Sequence, residues 1–295
     1  MTCNPIFRGA GTALVTPLNA SGVDYEAFGR LIDWQIDCGI DALVIAGTTG
    51  EGSTLSDEEH REVLSFAAER IAGRVPMVAG TGSNDTAYAV SLTKFACQIG
   101  ADAVLVVTPY YNKATQNGLI QMYNTIADAS TKPLILYNVP SRTGVGIEPA
   151  TYLKLAEHPN IRGIKEANGN ISKFVETAAL VGDRMDIYSG NDDQIVPILS
   201  VGGAGVISVL SNLMPAETSD ICKRWFAGDI AGSMAMQAKY LPLIKALFCE
   251  VNPIPAKAAM AAMGFGENYL RLPLTAMEEA NAEKLYALMR AEKLI

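Results

Sequence analysis

Eight short runs rich in β-branched residues recur along the chain, separated by segments with helical patterning. They predict strands at residues 12–15, 42–46, 76–79, 103–107, 134–137, 163–165, 186–188 and 205–209. Strands that alternate with helices run parallel, because each helix returns the chain to the edge where the next strand begins. Eight such units predict a closed (β/α)₈ TIM barrel rather than an open doubly wound sheet. A dinucleotide fold needs GxGxxG after an early strand; none is present, and Gly80-Thr81-Gly82 is too short a likeness to count.

The intervening segments have one apolar face each. Val63, Leu64, Ala67, Ala68 and Ile71 form a stripe, as do Phe28, Leu31, Ile32 and Ile36, and both read as packing faces. Ser56 and Glu59 are spaced for a capping box at the start of the first of these helices. Beyond about Gly228 the strand signals stop. Helices are predicted at 230–249, 255–263 and 277–293, with Asn252-Pro253-Ile254-Pro255 breaking the chain between the first two. The expected organisation is a barrel over residues 1–228 and a C-terminal helical region over 229–295, without a polar linker.

Composition narrows the function. Charged residues make up 18% of the 295, against roughly 25% in typical soluble domains, which fits strands buried on both faces or surface hidden in an oligomer. A net charge of -8 argues against nucleic acid and anionic membrane surfaces as partners, though not against small anions. No run approaches the roughly 18 apolar residues of a membrane helix. The first residues lack the basic-then-apolar order of a signal peptide, so a cytoplasmic location is expected. The five cysteines, Cys3, Cys38, Cys97, Cys222 and Cys249, are scattered and without CxxC, and are expected to be reduced and mostly buried.

Few residues remain for chemistry. Of the two histidines, His60 falls in a charged helix start and His158 precedes Pro159; both read as solvated surface. Without HxH, HExxH or a carboxylate cluster no metal is expected, and GxSxG is absent. Catalytic residues of a barrel sit at the carboxyl ends of its strands. Among the lysines, Lys165 alone ends an apolar run, Ile161-Arg162-Gly163-Ile164-Lys165. Strand alternation puts it on the face of Gly163, opposite Ile164 and Glu166. If that face is the lumen, the amine is desolvated and nucleophilic near neutral pH; a salt bridge to Glu166 is the plain structural alternative.

Other predicted strand ends carry hydroxyls and a cation. Gly47-Thr48-Thr49-Gly50-Glu51 follows the second, with Thr48 and Thr49 placed to meet a carboxylate. Tyr137 ends the fifth and points inward, and Arg142 follows in a loop stiffened by Pro140, suited to bidentate carboxylate capture. Tyr110 and Tyr111, after the fourth, read on their own as packing residues.

These segments, with Pro109-Tyr110-Tyr111-Asn112, Tyr137-Asn138-Val139-Pro140-Ser141-Arg142-Thr143-Gly144 and Gly163-Ile164-Lys165-Glu166, resemble the dihydrodipicolinate synthase family of the N-acetylneuraminate lyase superfamily. Gly205-Val206-Ile207-Ser208-Val209, Asn252-Pro253-Ile254-Pro255 and Arg271-Leu272-Pro273-Leu274 fit as well, so the likeness runs from near Gly9 past Pro273. The resemblance implies condensation of pyruvate with L-aspartate 4-semialdehyde on the route to diaminopimelate and lysine, with no cofactor. It implies that Lys165 forms the imine, that Tyr137 transfers protons, and that Thr48 links Tyr137 to Tyr111 of a neighbouring subunit. Thr49 would hold the pyruvate carboxylate and Arg142 that of the semialdehyde, with Gly190 and Ile207 lining the pocket. It further implies a homotetramer of tight dimers and an interfacial lysine site at Gly52, Ser53, Asp57, His60, Asn84, Tyr88 and Tyr110. Tyr88 stands there where relatives place an acidic partner for the ligand's ammonium, so weak feedback is expected. The competing readings are another pyruvate-dependent lyase, acting on N-acetylneuraminate or a 2-keto-3-deoxy sugar acid, and a non-catalytic ligand-binding barrel.

Overall fold

Residues 5–295 are described here from a computed structural model; Cys3 and the rest of the first four residues lie outside them. Parallel strands close a barrel in chain order: β1 (Gly9–Ala13), β2 (Ala42–Ile45), β3 (Met77–Gly80), β4 (Ala103–Val107), β5 (Leu134–Asn138), β6 (Ile161–Glu166), β7 (Asp186–Ser189) and β8 (Gly205–Ser208), which pairs back onto β1. The helices around it are α1 (Tyr25–Asp37), α2 (Asp57–Ile71), α3 (Thr86–Gln98), α4 (Gln116–Asp128), α5 (Pro149–Leu155), α6 (Ile171–Val181), α7 (Ile195–Ser200) and α8 (Pro215–Phe226). Three more follow: α9 (Ile230–Leu247), α10 (Ile254–Ala262) and α11 (Glu279–Ala291). The barrel with a helical appendage is the architecture expected from the alternation of patterns.

Local chemistry sets the helix starts. Side chains of Asp24, Ser56, Asp85, Thr115 and Asn170 each accept an amide of the first turn that has no partner within its helix. At α2 the capping box forms in both directions, with the Ser56 amide 2.9 Å from Glu59 Oε2 and the Glu59 amide 3.2 Å from Ser56 Oγ.

Strand alternation divides the core in two. Val104, Val106 and Ile164 point outward into the layer shared with Leu31, Val63 and Leu64. Ala103, Leu105, Val44, Val78, Ile135, Tyr188 and Ile207 fill the lumen. Phe7 stacks on Tyr188 with ring centroids 4.2 Å apart within this lumen cluster.

Boundaries depart from expectation where glycine or a short turn intervenes. β1 begins at Gly9, ahead of the predicted start, because Gly-Ala-Gly carries no β-branched signal. The glycines at this seam answer to crowding: a Cβ on Gly205 would lie 1.8 Å from the Gly9 carbonyl oxygen. The small antiparallel pair Leu18–Asn19 with Gly22–Val23 went unpredicted, being two residues per strand. The chain breaks between α9 and α10 at Asn252-Pro253, as its prolines require.

Two expectations about buried groups are corrected. His60 is not on the surface: it is 6% exposed, with Nε2 2.9 Å from the Gly80 carbonyl oxygen, and burial pushes its pKa down. It lies one turn before Leu64 on the apolar stripe of α2, a phase that the charged neighbours masked. His158 is partly covered, with Nε2 3.1 Å from Asp128 Oδ1. Of the four described cysteines only Cys222 is buried; Cys38 and Cys97 sit half-covered near helix ends and Cys249 is exposed.

Candidate active site

The carboxyl ends of the strands form the mouth. Tyr137 on β5 and Lys165 on β6 are direct partners in the parallel register, so alternation turns both side chains into the lumen together. The Lys165 amine stands 4.3 Å from the centre of the Tyr137 ring, and the two residues are 6% and 7% exposed. Burial pulls the Lys165 pKa down to about 7, against an opposing pull from the buried carboxylate of Asp192, while the charge of Arg142 pushes it down further. Such an amine is substantially neutral at physiological pH, which nucleophilic attack on a carbonyl requires.

Glu166 does not neutralise Lys165. Its carboxylate faces the outer layer, where it accepts from Asn138 Nδ2 at 3.0 Å, the Tyr152 hydroxyl at 2.9 Å and the Asn168 amide at 2.9 Å. This buried, satisfied network fixes the strand that carries Lys165.

Thr48 and Thr49 occupy the turn after β2. The Thr48 hydroxyl is hydrogen-bonded to the Tyr137 phenol, whose pKa burial raises while the charge of Arg142 and this bond hold it back. Thr49 is 3% exposed and its Oγ1 accepts from Asn252 Nδ2 at 3.0 Å. Arg142 lies in the single turn Pro140–Thr143, largely exposed, and donates from Nη2 to the Asn252 carbonyl oxygen at 3.0 Å. Gly190 follows β7, where its amide donates to the Glu166 carbonyl at 2.7 Å; a Cβ there would meet Ala167 at 2.8 Å. Ile207 on β8 is fully buried in the lumen cluster.

A cavity of about 610 Å³ opens from Thr48, Tyr137 and Arg142 toward Asp57, His60 and Tyr88. Gly52, Ser53 and Tyr110 line it too, so the residues expected to hold lysine share one cavity with Thr48, Tyr137 and Arg142, except Asn84, which bonds the Tyr110 carbonyl beside it. Tyr111 is not brought in: it is 93% exposed and does not line the cavity. Its φ of 68° is a conformation that a tyrosine adopts at a cost, and the surrounding turn holds it through Asn112, which bonds the Asn84 and Tyr110 carbonyls at 2.9 Å each.

Residues that the sequence reading passed over are Asp192, Asn252 and Lys257. Asp192 is buried, with Oδ2 accepting the Val209 and Leu210 amides at 3.0 and 2.9 Å. Lys257, on α10, forms a buried ion pair with Glu51 at 2.5 Å. No sequence period marks any of the three, since each acts across a long chain separation. Among the described residues no group of three or more His, Cys, Asp or Glu is placed to hold a metal ion, and no helix is long and apolar enough to cross a membrane.

A parallel barrel whose mouth holds a desolvated, partly neutral lysine against a tyrosine, with threonine hydroxyls and an arginine at the rim, has the arrangement of a Schiff-base-forming lyase. The chain belongs to the dihydrodipicolinate synthetase family, which it matches over residues 6–292. It is 55% identical over 282 residues to the 4-hydroxy-tetrahydrodipicolinate synthase of Caldicellulosiruptor saccharolyticus, covering 95% of each chain. The solved dihydrodipicolinate synthase of Aquifex aeolicus superposes with a TM-score of 0.96 at 42% identity, over 98% of this chain and 99% of that one. The enzyme of Cyanidioschyzon merolae, solved with lysine bound, gives 0.95 at 37% identity, over 99% and 100%.

Proposed function

We propose that the protein condenses pyruvate with L-aspartate 4-semialdehyde to 4-hydroxy-tetrahydrodipicolinate through an imine on Lys165. The observation that carries this reading is the buried Lys165 amine, lowered to about pKa 7 and set against Tyr137. The neutral amine adds to the keto carbon of pyruvate and water leaves as the imine forms. Tyr137, linked to Thr48, moves the protons of that exchange and of the addition that follows. Loss of a methyl proton gives the enamine, whose carbon attacks the aldehyde; the amino group of the adduct then closes the ring and expels Lys165. Thr49 holds the pyruvate carboxylate and Arg142 the carboxylate of the semialdehyde. A coupled assay supplying both substrates tests the reaction, and release of pyruvate from a sugar acid with no turnover of the semialdehyde would assign a different lyase.

Arg142 should separate the two substrates. Arg142→Ala is expected to leave pyruvate trapping intact and to lower kcat/KM for the semialdehyde by about tenfold to a hundredfold, the loss of a charge-assisted contact. An unchanged kcat/KM would make Arg142 a surface residue only.

Assembly into tight dimers, paired into a tetramer, completes the reading, because Tyr111 is 93% exposed and does not line the cavity of its own chain. Mixing Tyr111→Phe with Lys165→Ala subunits should restore activity through hybrid dimers that hold one intact site. Exchange of subunits demonstrated by mass spectrometry without recovery would place Tyr111 outside a shared site. A biosynthetic enzyme of this kind is assigned to the cytoplasm.

Feedback by lysine should be weak. Asp57, the carboxylate that lines the cavity beside Tyr88, is engaged by Arg61 Nε at 3.0 Å from both oxygens and by the Tyr88 hydroxyl. Losing one charge-assisted bond costs about 1.5–3 kcal/mol, so half-inhibition is expected no tighter than roughly millimolar. Titrating L-lysine at subsaturating pyruvate checks it; inhibition at tens of micromolar would show Asp57 leaving Arg61 for the ligand.

A further inference from the structure

Thr49 owes its hydrogen-bonding state to a residue 203 positions away, in the loop between α9 and α10. A hydroxyl carries one proton and two acceptor lone pairs. Asn252 Nδ2 donates into one of these at 3.0 Å, so Oγ1 is the acceptor in that bond and its own proton remains available. Among the described residues no carbonyl or carboxylate takes that proton. Both partners are buried, Thr49 at 3% and Asn252 at 6% exposure, so water competes little for the contact.

We propose that Asn252 is a positioning residue for the pyruvate carboxylate: its amide commits the Thr49 hydroxyl to act as a donor toward the substrate. The proposal rests on the reading that Thr49 meets that carboxylate. The amide orientation follows from the donor count. As it stands, Asn252 Oδ1 and one of the two Nδ2 hydrogens are buried without a partner; the reverse orientation would bury both N–H donors with none, and an orphaned donor costs more than a carbonyl oxygen left unpaired. The main chain of the same residue serves the second substrate contact, since its carbonyl takes Nη2 of Arg142 at 3.0 Å and leaves the other guanidinium N–H groups for a ligand.

The loop is held against the turn that it serves. Lys257 on α10 pairs with Glu51 at 2.5 Å, and the Arg271 amide donates to the other oxygen of the same carboxylate at 3.2 Å. Glu51 lies two residues from Thr49. The C-terminal segment therefore grips residues 49–51 through three bonds whose partners are all more than 200 positions apart.

A double-mutant cycle tests the proposal, read as the pyruvate concentration giving half-maximal borohydride trapping on Lys165. Thr49→Val and Asn252→Ala should each raise it by about fivefold to tenfold, the loss of one oriented hydrogen bond. The double variant should lie within about twofold of Thr49→Val alone, because Asn252 acts through the hydroxyl already removed. Effects that multiply, or an Asn252→Ala value equal to wild type, overturn the proposal. Asn252→Ser carries the same cycle if the alanine variant does not fold. Wild-type trapping at Lys165 is the control for the underlying reading: its absence sinks that reading, whereas trapping without coupling sinks only the role of Asn252.

Discussion

Lys165→Ala is expected to lower kcat/KM by roughly 10⁴–10⁶-fold, the range seen when a covalent nucleophile is removed. The fold should survive, because a methyl group replaces an amine whose burial already works against its charge. Hydroxyls at the mouth cannot substitute for a lysine, since none forms an imine. Lys257 is the other buried one, and it is held by Glu51 behind the turn. The wild-type pH profile follows from the same desolvation. Below about pH 7 Lys165 is mainly protonated and unreactive, so imine formation should rise as pH climbs through 7 and then level off. Rapid-quench trapping across that range measures it. A rate that keeps rising toward pH 10 would mean an ordinary, solvated lysine.

Tyr137→Phe is expected to cost about 10²–10³ in kcat, the usual contribution of a placed acid–base group, with a much smaller change in the KM for pyruvate. Phenylalanine fills the same lumen space against Leu105 and Ile135, so stability should hold. What disappears is the hydroxyl bonded to Thr48, and with it the route for protons during imine formation and addition. Slow trapping that still ends on Lys165 would separate this loss from loss of the nucleophile. A kcat near wild type would remove Tyr137 from proton transfer and leave it a packing residue.

The barrel and the inward-facing position of Lys165 were legible because both depend on short-range pattern. Period-two alternation set Lys165 opposite Ile164, and the lumen received it. β1 was harder, since its glycines answer to crowding against β8 rather than to strand preference. His60 was misread because charged neighbours outweighed its helical phase with Val63 and Leu64. Asn252 was legible only as a chain breaker. Its bonds to Thr49 and Arg142 arise from the docking of the C-terminal helices, and no local period records contacts across 203 and 110 positions. Tyr111 was placed by resemblance alone, and in the structure it is 93% exposed.

The most direct test of the account is peptide mapping after incubation with pyruvate and borohydride. Imine formation on the buried amine predicts one reduced pyruvyl group per chain, carried by the peptide that contains Lys165, and none in Lys165→Ala. Modification of another lysine, or active enzyme that pyruvate and borohydride leave unmodified, would contradict it.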